Sequence, residues 1–460
     1  MNTKPYRYQK EDAHRIEELG GRVLLATEMG LGKSLVSLLW YHLYCQNEPI
    51  VIVCPASIKW NWERECSKHF SLFSRVLNGM KPPQRQQLSF DPSVHVTIIN
   101  YDILGPWIPY LKKLNPTLII ADEVHAIKER RTKRAKNLRK LCEDVPYFIA
   151  LSGTPLTNRP AELWNILNLL RPDLYGSFIK FAMAHCNPQR KPWGMEYKGA
   201  ENLDKLHRNM SEHLMIRRRK ADVLKDLPAK ARHAVLLDLE KPKEYATARD
   251  DFVRWLRKQA GTKITSSLRA QMLVKSGHLK RLAARLKLKS VFNWLDDFLE
   301  EGESKLIVFG VHHEILDTLH ERYSKCSVLI TGETIGELRQ KRFDKFLRDG
   351  RTRLLIGNIQ AAGVGWSAKG VSAVAFVEMG WTPAEHSQAE DRVHGIGRGK
   401  EGVRSQVWYL VAKDTIETRL CELIQQKQKV LDQVLDGKKI EDGIDIHTQL
   451  LNELLKEGAK

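Results

Sequence analysis

The chain has 460 residues, of which 42% are hydrophobic and 28% charged, and this composition indicates a globular protein long enough for two or three domains. Its formal net charge of +19 favours a nucleic-acid partner, while the lack of a membrane-length apolar run or a secretory signal argues against a membrane or secreted protein. The seven cysteines are scattered without a C-x-x-C pair, so we expect reduced thiols in the cytoplasm, or in the nucleus of a eukaryote, rather than disulfides or a zinc site.

Two series of short apolar runs predict an α/β protein with two parallel sheets. The first series is RVLLAT, PIVIVCP, VHVTIIN, TLIIADE and YFIALSGTP, and the second is KLIVFG, SVLIT, RLLIGN, AVAFVE and SQVWYLV. These runs have strand length but no clean period-two alternation, which favours strands buried on both faces of a parallel sheet. Between the two series lies a basic and mostly helical region, with a junction near the breakers Pro228 and Pro242.

This pattern predicts two lobes with helical basic insertions between them and a C-terminal helix. Each lobe is long enough to bury a core of its own. The first predicted lobe is 1–235, with a helical protrusion from about 158. The second predicted lobe is 236–460, with a helical protrusion at about 240–290, a parallel sheet at about 291–412 and C-terminal helices at 413–460.

The segment LLATEMGLGKS is typical of a phosphate-binding loop that opens a helix, although Thr27 stands where the common pattern has its first glycine. Backbone N–H groups at the start of a helix bind phosphate, and Gly30 and Gly32 would let the backbone approach closely. Lys33 would bring a charge to the β- and γ-phosphates and Ser34 a hydroxyl to Mg²⁺. A chance GKS at a helix start is the alternative.

The motif LIIADEVH places two acids at the carboxyl end of an apolar strand, where a parallel sheet presents its chemistry. A magnesium-bound nucleotide needs one carboxylate near the metal and another that orients or deprotonates the attacking water. Asp122 suits the first role and Glu123 the second. An ordinary acidic turn is the alternative, but an earlier GKS loop in the same chain favours the catalytic interpretation.

Three segments concentrate the positive charge. Residues 128–140 carry eight Lys/Arg and one acid, residues 208–232 form a second block, and residues 252–295 contain eleven Lys/Arg and no Asp or Glu. Leucines in the last block recur near helical spacing, so one face can pack while the other contacts phosphates. A solvated helix face is the alternative, but the agreement of three blocks favours phosphate binding. The candidate phosphate contacts in the last block are Lys280, Arg281 and Arg285.

Taken in order, these motifs resemble those of the SWI/SNF type of superfamily-two helicase-like ATPase, from about Tyr6 to about Leu435. The matching segments of the first lobe are YRYQ, TEMGLGKS, VIVCPASIKWNWERE, IINYDIL, ADEVH, LSGTPLTNRPAELWNILNLLRPDLYGS and LMIRRRKADVLKDLPAK. Those of the second lobe are KLIVFGVHHEILDTL, LLIGNIQAAGVGWS and HSQAEDRVHGIGR. The details, including KPWGMEYKGAENL, are most similar to the HepA-related, annealing-helicase branch, and the compact chain suggests a bacterial or phage source.

The resemblance implies two RecA-like lobes with ATP and Mg²⁺ as the cofactors. The implied nucleotide contacts are Gln9, which would read the adenine, and Thr27, Glu28, Met29, Gly30, Leu31, Gly32, Lys33, Ser34, Gly363 and Gly365. The implied catalytic residues are Lys33, Asp122, Glu123, Gln388, Arg392 and Arg398, with Ser34 and Asp122 as magnesium ligands.

One position departs from the family. Motif VI normally carries a second arginine three residues after the first, and here the first is Arg392 but Gly395 occupies the second position. Arg398 follows where the family has glutamine. Arginine fingers neutralise charge on the transferring phosphoryl group, so either Arg392 suffices or Arg398 substitutes for the missing finger.

The implied function is a monomeric, ATP-dependent motor that translocates on double-stranded or branched DNA. The resemblance implies no membrane association and no small-molecule substrate besides ATP, and the sequence does not identify protein partners. Two alternatives stay open: a strand-separating DNA or RNA helicase of the same superfamily, and a DNA-binding protein with a weakened motor, which Gly395 suggests.

Overall fold

The computed structural model describes residues 1–80, 93–153, 155, 160–191, 194–197, 199–259, 266–302, 304–334, 336–363, 366, 368, 370–395, 404–424 and 450. They divide into two compact units. Met1–Leu227 form the first unit, and Pro228–His394 form most of the second, to which residues 404–424 also belong.

The first unit is built on a parallel sheet. Its strands are β1 Arg22–Leu25, β2 Ile50–Cys54, β3 Ser74–Val76, β4 Val96–Asn100, β5 Leu118–Ala121, β6 Tyr147–Leu151, β7 Gln189–Lys191, β8 Gly194–Glu196 and β9 Met215–Ile216. β7 and β8 form an antiparallel hairpin, and the other strands pair in parallel in the order β3-β4-β2-β5-β6-β1-β9. Every residue of β2, β4 and β5 is buried, as expected for strands covered on both faces.

Helices alternate with these strands. They are α1 Arg7–Glu18, α2 Lys33–Tyr44, α3 Lys59–Phe70, α4 Leu104–Lys113, α5 Lys133–Cys142, α6 Trp164–Leu170, α7 Phe178–His185, α8 Leu203–His213 and α9 Lys220–Val223. Apolar residues of α4, α5 and α6 share one core cluster with the sheet. This packing fixes the sheet whose carboxyl edge carries the candidate site.

The second unit has its own parallel sheet. Its strands are β10 Ala231–Leu237, β11 Leu306–Gly310, β12 Ser327–Ile330, β13 Leu354–Asn358, β14 Ala373–Phe376 and β15 Gln406–Ala412. The order is β10-β15-β14-β11-β13-β12, with every pair parallel. The predicted α/β class with two parallel-sheet lobes is therefore confirmed.

The first two helices of the second unit lie in the region that was predicted to be basic and helical. They are α10 Pro242–Lys258, α11 Ser266–Leu286, α12 Leu288–Glu300, α13 His313–Arg322, α14 Gly336–Arg348, α15 Ile359–Ala362 and α16 Pro383–Glu390. Residues 416–424 are also helical, and most of the predicted C-terminal helices after them lie outside the described residues. No described helix is both long and apolar enough to span a membrane.

Three strands of the parallel sheets, and also the two short hairpin strands β7 and β8, were not predicted from the sequence. β3 and β9 are too short for a pattern. β10 is an edge strand in which only Leu237 is fully buried, and the nearby prolines made it look like a junction. Pairing with β15, rather than apolar content, makes this segment a strand.

Candidate functional site

The segment after β1 forms a tight loop that opens α2. Gly30 and Gly32 have φ values of 79° and 78°, in the left-handed region that favours glycine. Gly32 is the N-cap of α2, which begins at Lys33, so the N–H groups of the first turn of this helix lie at the end of the loop. Ser34 occupies the second position of the helix. The loop therefore has the backbone form of an anion-binding site.

Lys33 reaches back across this loop. Its Nζ donates hydrogen bonds to the Thr27 carbonyl at 2.9 Å and to the Glu28 carbonyl at 3.4 Å. Gly153 packs against the Met29 and Lys33 side chains of this loop. A Cβ atom added to Gly153 would lie 2.5 Å from Met29 Cγ and 3.4 Å from Lys33 Nζ. The loop thus packs closely on the segment that follows β6, and Gly153 is a site residue that sequence reasoning did not single out.

Gln9 and Tyr8 of α1 support the loop from its other end. Tyr8 Oη donates to the Leu31 carbonyl at 3.0 Å, and Gln9 Nε2 donates to the same carbonyl at 3.1 Å. Gln9 is 1% exposed, and its Oε1 accepts a hydrogen bond from the Tyr6 N–H at 2.9 Å. The structure places Gln9 beside the loop, whereas its contact with adenine stays a prediction.

Asp122 and Glu123 follow β5 directly, at the carboxyl edge of the first sheet. Asp122 Oδ2 accepts a hydrogen bond from Trp62 Nε1 at 2.8 Å, and its Oδ1 accepts one from the Glu123 N–H at 2.8 Å. Glu123 is buried, and its φ of 49° is in the left-handed region that residues other than glycine seldom adopt. His125 Nδ1 lies 3.3 Å from Glu123 Oε2. Backbone strain of this kind is concentrated at functional sites.

The charge of Lys33 in the loop influences the pKa of Asp122 in the acidic pair. Burial raises the pKa of Asp122, and the adjacent negative charge of Glu123 raises it further. The hydrogen bond from Trp62 and the positive charge of Lys33 oppose this rise in the pKa. Because the Lys33 charge acts on Asp122, the phosphate-binding loop and the two acids belong to one site in the first unit.

These residues fit a nucleotide with its magnesium ion. The left-handed glycine loop leaves backbone N–H groups at a helix start for phosphate, and the confined ammonium of Lys33 matches an anionic ligand. Hard oxygen donors suit Mg²⁺, and Ser34 and Asp122 supply a hydroxyl and a carboxylate. The described residues contain no cluster of three or more His, Cys, Asp or Glu side chains that could hold a metal by themselves.

In the second unit, Gln388 and Arg392 lie close together. Gln388 is a buried residue of α16, and Arg392 follows in the short turn Asp391–Val393. Arg392 Nε donates to the Gln388 carbonyl at 3.1 Å, and its Nη1 donates to the Trp366 carbonyl at 2.5 Å. The arginine is therefore oriented by backbone carbonyls of its own unit.

Gly363 ends α15 at a place where no side chain fits. A Cβ added there would lie 2.2 Å from the Ile359 carbonyl oxygen and 3.5 Å from Ala389 Cβ. The clash would be with the backbone of α15 itself, whereas the distance to Ala389, on the helix that carries Gln388, is an ordinary van der Waals contact. The other predicted residues of this unit, Gly365 and Arg398, lie outside the described residues.

The prediction that Lys280 contacts DNA phosphates is wrong. Lys280 is 2% exposed, its Nζ donates to the Met379 carbonyl at 2.7 Å, and burial lowers its pKa to about 8. Lys287 in the same block is also buried, and its Nζ contacts Glu417 Oε2 at 2.5 Å. Net charge along the sequence could not reveal that these ammonium groups point into the second unit.

The other two candidate phosphate contacts of this block are exposed but paired. Arg281 Nε donates to Glu314 Oε2 at 2.8 Å, and Arg285 Nη2 donates to Glu244 Oε1 at 2.8 Å. The block contains no acid of its own, yet neighbouring elements supply acids to it. Its charge is thus partly neutralised within the unit, and the predicted advantage for phosphate is reduced.

The fold and the site together define a nucleotide-binding α/β protein with two parallel-sheet units. Residues 13–288 match the model of the SNF2-related domain, and residues 290–397 match the helicase conserved C-terminal domain. The chain therefore belongs to the SNF2-related family of helicase-like ATPases, as the sequence predicted.

Similar proteins come from several animals. The chain is 31% identical to the SWI/SNF-related matrix-associated actin-dependent regulator of chromatin subfamily A-like protein 1 of Xenopus tropicalis, over 93% of this chain and 44% of that protein. It is 34% identical to the Caenorhabditis elegans homologue, over 93% and 61%, and 29% identical to the DNA annealing helicase and endonuclease ZRANB3 of Mus musculus, over 95% and 41%. The chain thus spans about half the length of these relatives.

A solved structure, the Sulfolobus solfataricus SWI2/SNF2 ATPase core in complex with dsDNA, aligns over 99% of this chain and 97% of that chain. The TM-score is 0.44 and the sequence identity is 23%.

Proposed function

We propose that the chain is a DNA-stimulated ATPase that uses ATP hydrolysis to translocate on duplex or branched DNA with little strand separation. The family supports ATP use, and the relatives include a protein named as a DNA annealing helicase. The strongly basic composition supports a nucleic-acid partner.

The observation that carries this proposal is the single site of the first unit. A glycine loop with Lys33 and a carboxylate pair after β5 interact electrostatically, as phosphoryl transfer requires. Bound Mg²⁺ would neutralise phosphate charge. Ser34 and Asp122 would hold the metal, Lys33 would bind the β- and γ-phosphates, and Glu123 would orient the attacking water and accept its proton.

The second unit would contribute Arg392. Its guanidinium is already oriented by two backbone carbonyls, and a fixed cation suits the charge that develops on a transferring phosphoryl group. Gln388, buried next to it, would help to place it. Gly395 lies in the position of the second family arginine, so Arg392 is the finger on which hydrolysis would depend.

The decisive experiment is a phosphate-release assay of the full chain with ATP and Mg²⁺, alone and with duplex DNA, branched DNA, single-stranded DNA or single-stranded RNA. We expect duplex or branched DNA to give the largest stimulation. A Lys33→Ala variant should lose ATP binding, whereas a Lys10→Ala variant, which changes an exposed lysine on α1, should behave as wild type.

Three results would contradict the proposal. Stronger activation by single-stranded RNA would favour an RNA helicase, and efficient strand displacement would favour a strand-separating helicase. DNA binding without ATP turnover in the wild type would favour the weakened motor.

A further inference from the structure

Residues 217–232, the joining segment, lead from the first unit into the second. They belong to the basic block 208–232, which the sequence predicted to contact phosphates. Several of its side chains and backbone groups instead contact the two functional loops described above. One end of the segment contacts the phosphate-binding loop, and the other end contacts the turn that carries Arg392.

At the first end, the segment continues from β9 alongside the phosphate-binding loop. The Glu28 N–H donates to the Arg218 carbonyl at 2.9 Å, and the Lys220 N–H donates to Glu28 Oε2 at 2.8 Å. Arg217 Nη1 donates to the Ala26 carbonyl at 2.8 Å. Glu28 is therefore held through its backbone and its side chain by residues of the joining segment.

The same end also contacts the helix that carries Gln9. Arg218 Nε donates to Asp12 Oδ1 of α1 at 2.8 Å, and Asp12 is 1% exposed. Burial raises the pKa of Asp12, although the Arg218 guanidinium opposes this rise. The first end thus links two elements that surround the predicted nucleotide site.

At the second end, an ion cluster that is buried except for the half-exposed side chain of Arg232 holds the turn of Arg392. Lys230 Nζ lies 2.9 Å from Glu390 Oε2 and 2.6 Å from Asp391 Oδ1. Arg232 contacts Glu390 through Nε at 2.8 Å and through Nη2 at 2.6 Å, and Tyr409 Oη donates to the same carboxylate at 2.9 Å. Both acids directly precede Arg392 in the chain.

This cluster is permanently charged at neutral pH. Glu390 is 2% exposed, and burial by itself would disfavour its ionised form. The charges of Lys230 and Arg232 outweigh burial and lower the pKa of Glu390 to about 2. Breaking such a buried pair leaves an uncompensated charge, so the turn is firmly attached to the joining segment.

Only the short stretch 221–229 separates the two ends, and its first part is held in turns by backbone hydrogen bonds. The Leu224 N–H donates to the Lys220 carbonyl at 2.8 Å in the single turn of α9, and the Leu227 N–H donates to the Leu224 carbonyl at 3.0 Å. Lys225 and Asp226 between them are exposed.

On the basis of the ATPase activity proposed above, we propose that the joining segment is a positioning element of the motor. One end holds the phosphate-binding loop, the other holds the turn of Arg392, and the fixed chain length between the ends couples the two. Its residues do not touch the reacting atoms in this proposal; they act through Glu28 and Arg392.

The test lengthens the segment without removing any contact. Four residues of Gly and Ser are inserted between Lys225 and Asp226, and a control variant has the same insertion between Glu301 and Gly302, an exposed site in the second unit. We expect the first insertion to lower kcat for DNA-stimulated hydrolysis by about tenfold, a typical coupling effect, with the KM for ATP unchanged. The control insertion should leave both parameters as in the wild type.

A second readout does not need turnover. In the wild type, AMP-PNP with Mg²⁺ should slow hydrogen exchange at the amides of Arg232 and residues 390–394 as well as at the phosphate-binding loop. In the variant lengthened after Lys225, protection should be confined to the loop. Equal behaviour of the two insertion variants in both assays would overturn the coupling, whereas an inactive wild type would overturn the proposed function instead.

Point variants separate positioning from simple stability. Lys230→Met should lower kcat with little change in the KM for ATP, and Lys230→Arg, which keeps the charge, should recover most of the activity. Lys225→Met, a change at an exposed position of the same segment, is the matched control. If Lys230→Arg were no more active than Lys230→Met, charge pairing with Glu390 would not be the reason for the effect.

Discussion

Asp122 in the first unit, which is partly buried, and Glu390 in the second, which is almost completely buried, are acids whose surroundings shift the pKa in opposite directions. Burial and the charge of Glu123 raise the pKa of Asp122. Around Glu390, the charges of Lys230 and Arg232 overcome burial and lower the pKa to about 2. One acid is kept easy to protonate, and the other is fixed as an anion.

The difference distinguishes an acid of a candidate reactive site from an acid that holds a loop in place. Two carboxylates held together without full compensation are typical of a functional site and favour the binding of a cation. Paired charges in a closed cluster are typical of an element that holds a loop in place. Under the proposed function, the first unit would therefore carry the reacting carboxylates, whereas the second would carry an arginine that depends on its support. Each prediction below tests one side of this contrast.

The largest effect is expected at Glu123. Glu123→Gln keeps the shape of the side chain but removes the base, so turnover should fall by about 10²–10⁴-fold while ATP binding is retained. The assay is phosphate release beside equilibrium nucleotide binding. Glu129→Gln, an exposed change shortly after the same motif, is the control. Wild-type turnover in Glu123→Gln would show that another group activates the water.

A slightly smaller effect is expected at Arg392. Arg392→Ala should lower kcat by about 10³-fold, the lower end for an arginine finger, and Arg392→Lys should recover only part of it, because a lysine cannot reproduce the fork of donors. Arg348→Ala on α14 is the control for loss of an exposed arginine. An equal and severe loss in Arg398→Ala would show that Arg398 replaces the missing second finger.

The two acids should differ in folding stability. Glu390→Gln removes the anion that Arg232 and Tyr409 contact and leaves Lys230 with Asp391 alone, so the second unit should lose about 3 kcal/mol at neutral pH, the lower end for a broken buried pair. Because the pKa of Glu390 is lower in the folded state, this loss should be full above the unfolded pKa of about 4.3 and should shrink as the pH falls towards 2. Urea unfolding from pH 3 to pH 8 measures it.

Asp122→Asn should have the opposite effect on folding stability. The pKa of Asp122 is raised in the folded state, so its charge disfavours folding above that pKa. The substitution should therefore preserve or increase the stability of the first unit at neutral pH, and the gain should disappear as the pH falls below about 3.9, the unfolded pKa. If Asp122→Asn and Glu390→Gln lowered the free energy of unfolding by equal amounts, the proposed difference between the two acids would be wrong.

Much of the fold and the core of the first site could be predicted from the sequence. Apolar runs of strand length identify buried parallel strands, and TEMGLGKS and ADEVH each follow such a run, which places Lys33 and the acidic pair at the same carboxyl edge of a parallel sheet. Edge strand β10 could not be predicted, because its residues are mostly exposed and its pairing with β15 joins distant parts of the chain.

The sequence did not reveal which basic side chains point into the protein and which point into solvent. Lys280 and Lys230 occur in basic blocks, and the acids or carbonyls that hold them come from distant segments. A block of positive charge is visible in the sequence, but its partners are created only by tertiary packing. The block 128–140 differs, because Arg131, Lys133 and Lys136 are exposed.

This difference gives the prediction with the smallest expected effect per residue. Reversing Arg131, Lys133 and Lys136 to Glu should weaken duplex DNA binding and reduce its salt dependence, because exposed cations bind phosphates by releasing counterions. For the wild type, affinity should fall by about 10³–10⁵-fold between about 50 and 200 mM salt if roughly six to ten phosphates are contacted. Fluorescence anisotropy with duplexes of unrelated sequence measures both quantities.

The matched control reverses three exposed basic residues of α14, Lys341, Lys345 and Arg348, and so makes the same change in net charge. A general electrostatic effect would weaken binding equally in both variants, whereas a local interface at 128–140 would weaken it mainly in the first. ATP hydrolysis without DNA should be unchanged in both, because neither set includes a residue of the nucleotide site. If the α14 variant lost more affinity than the 128–140 variant, the exposed block of the first unit would not be the DNA contact, and exposure would be no better a guide to phosphate binding than sequence charge.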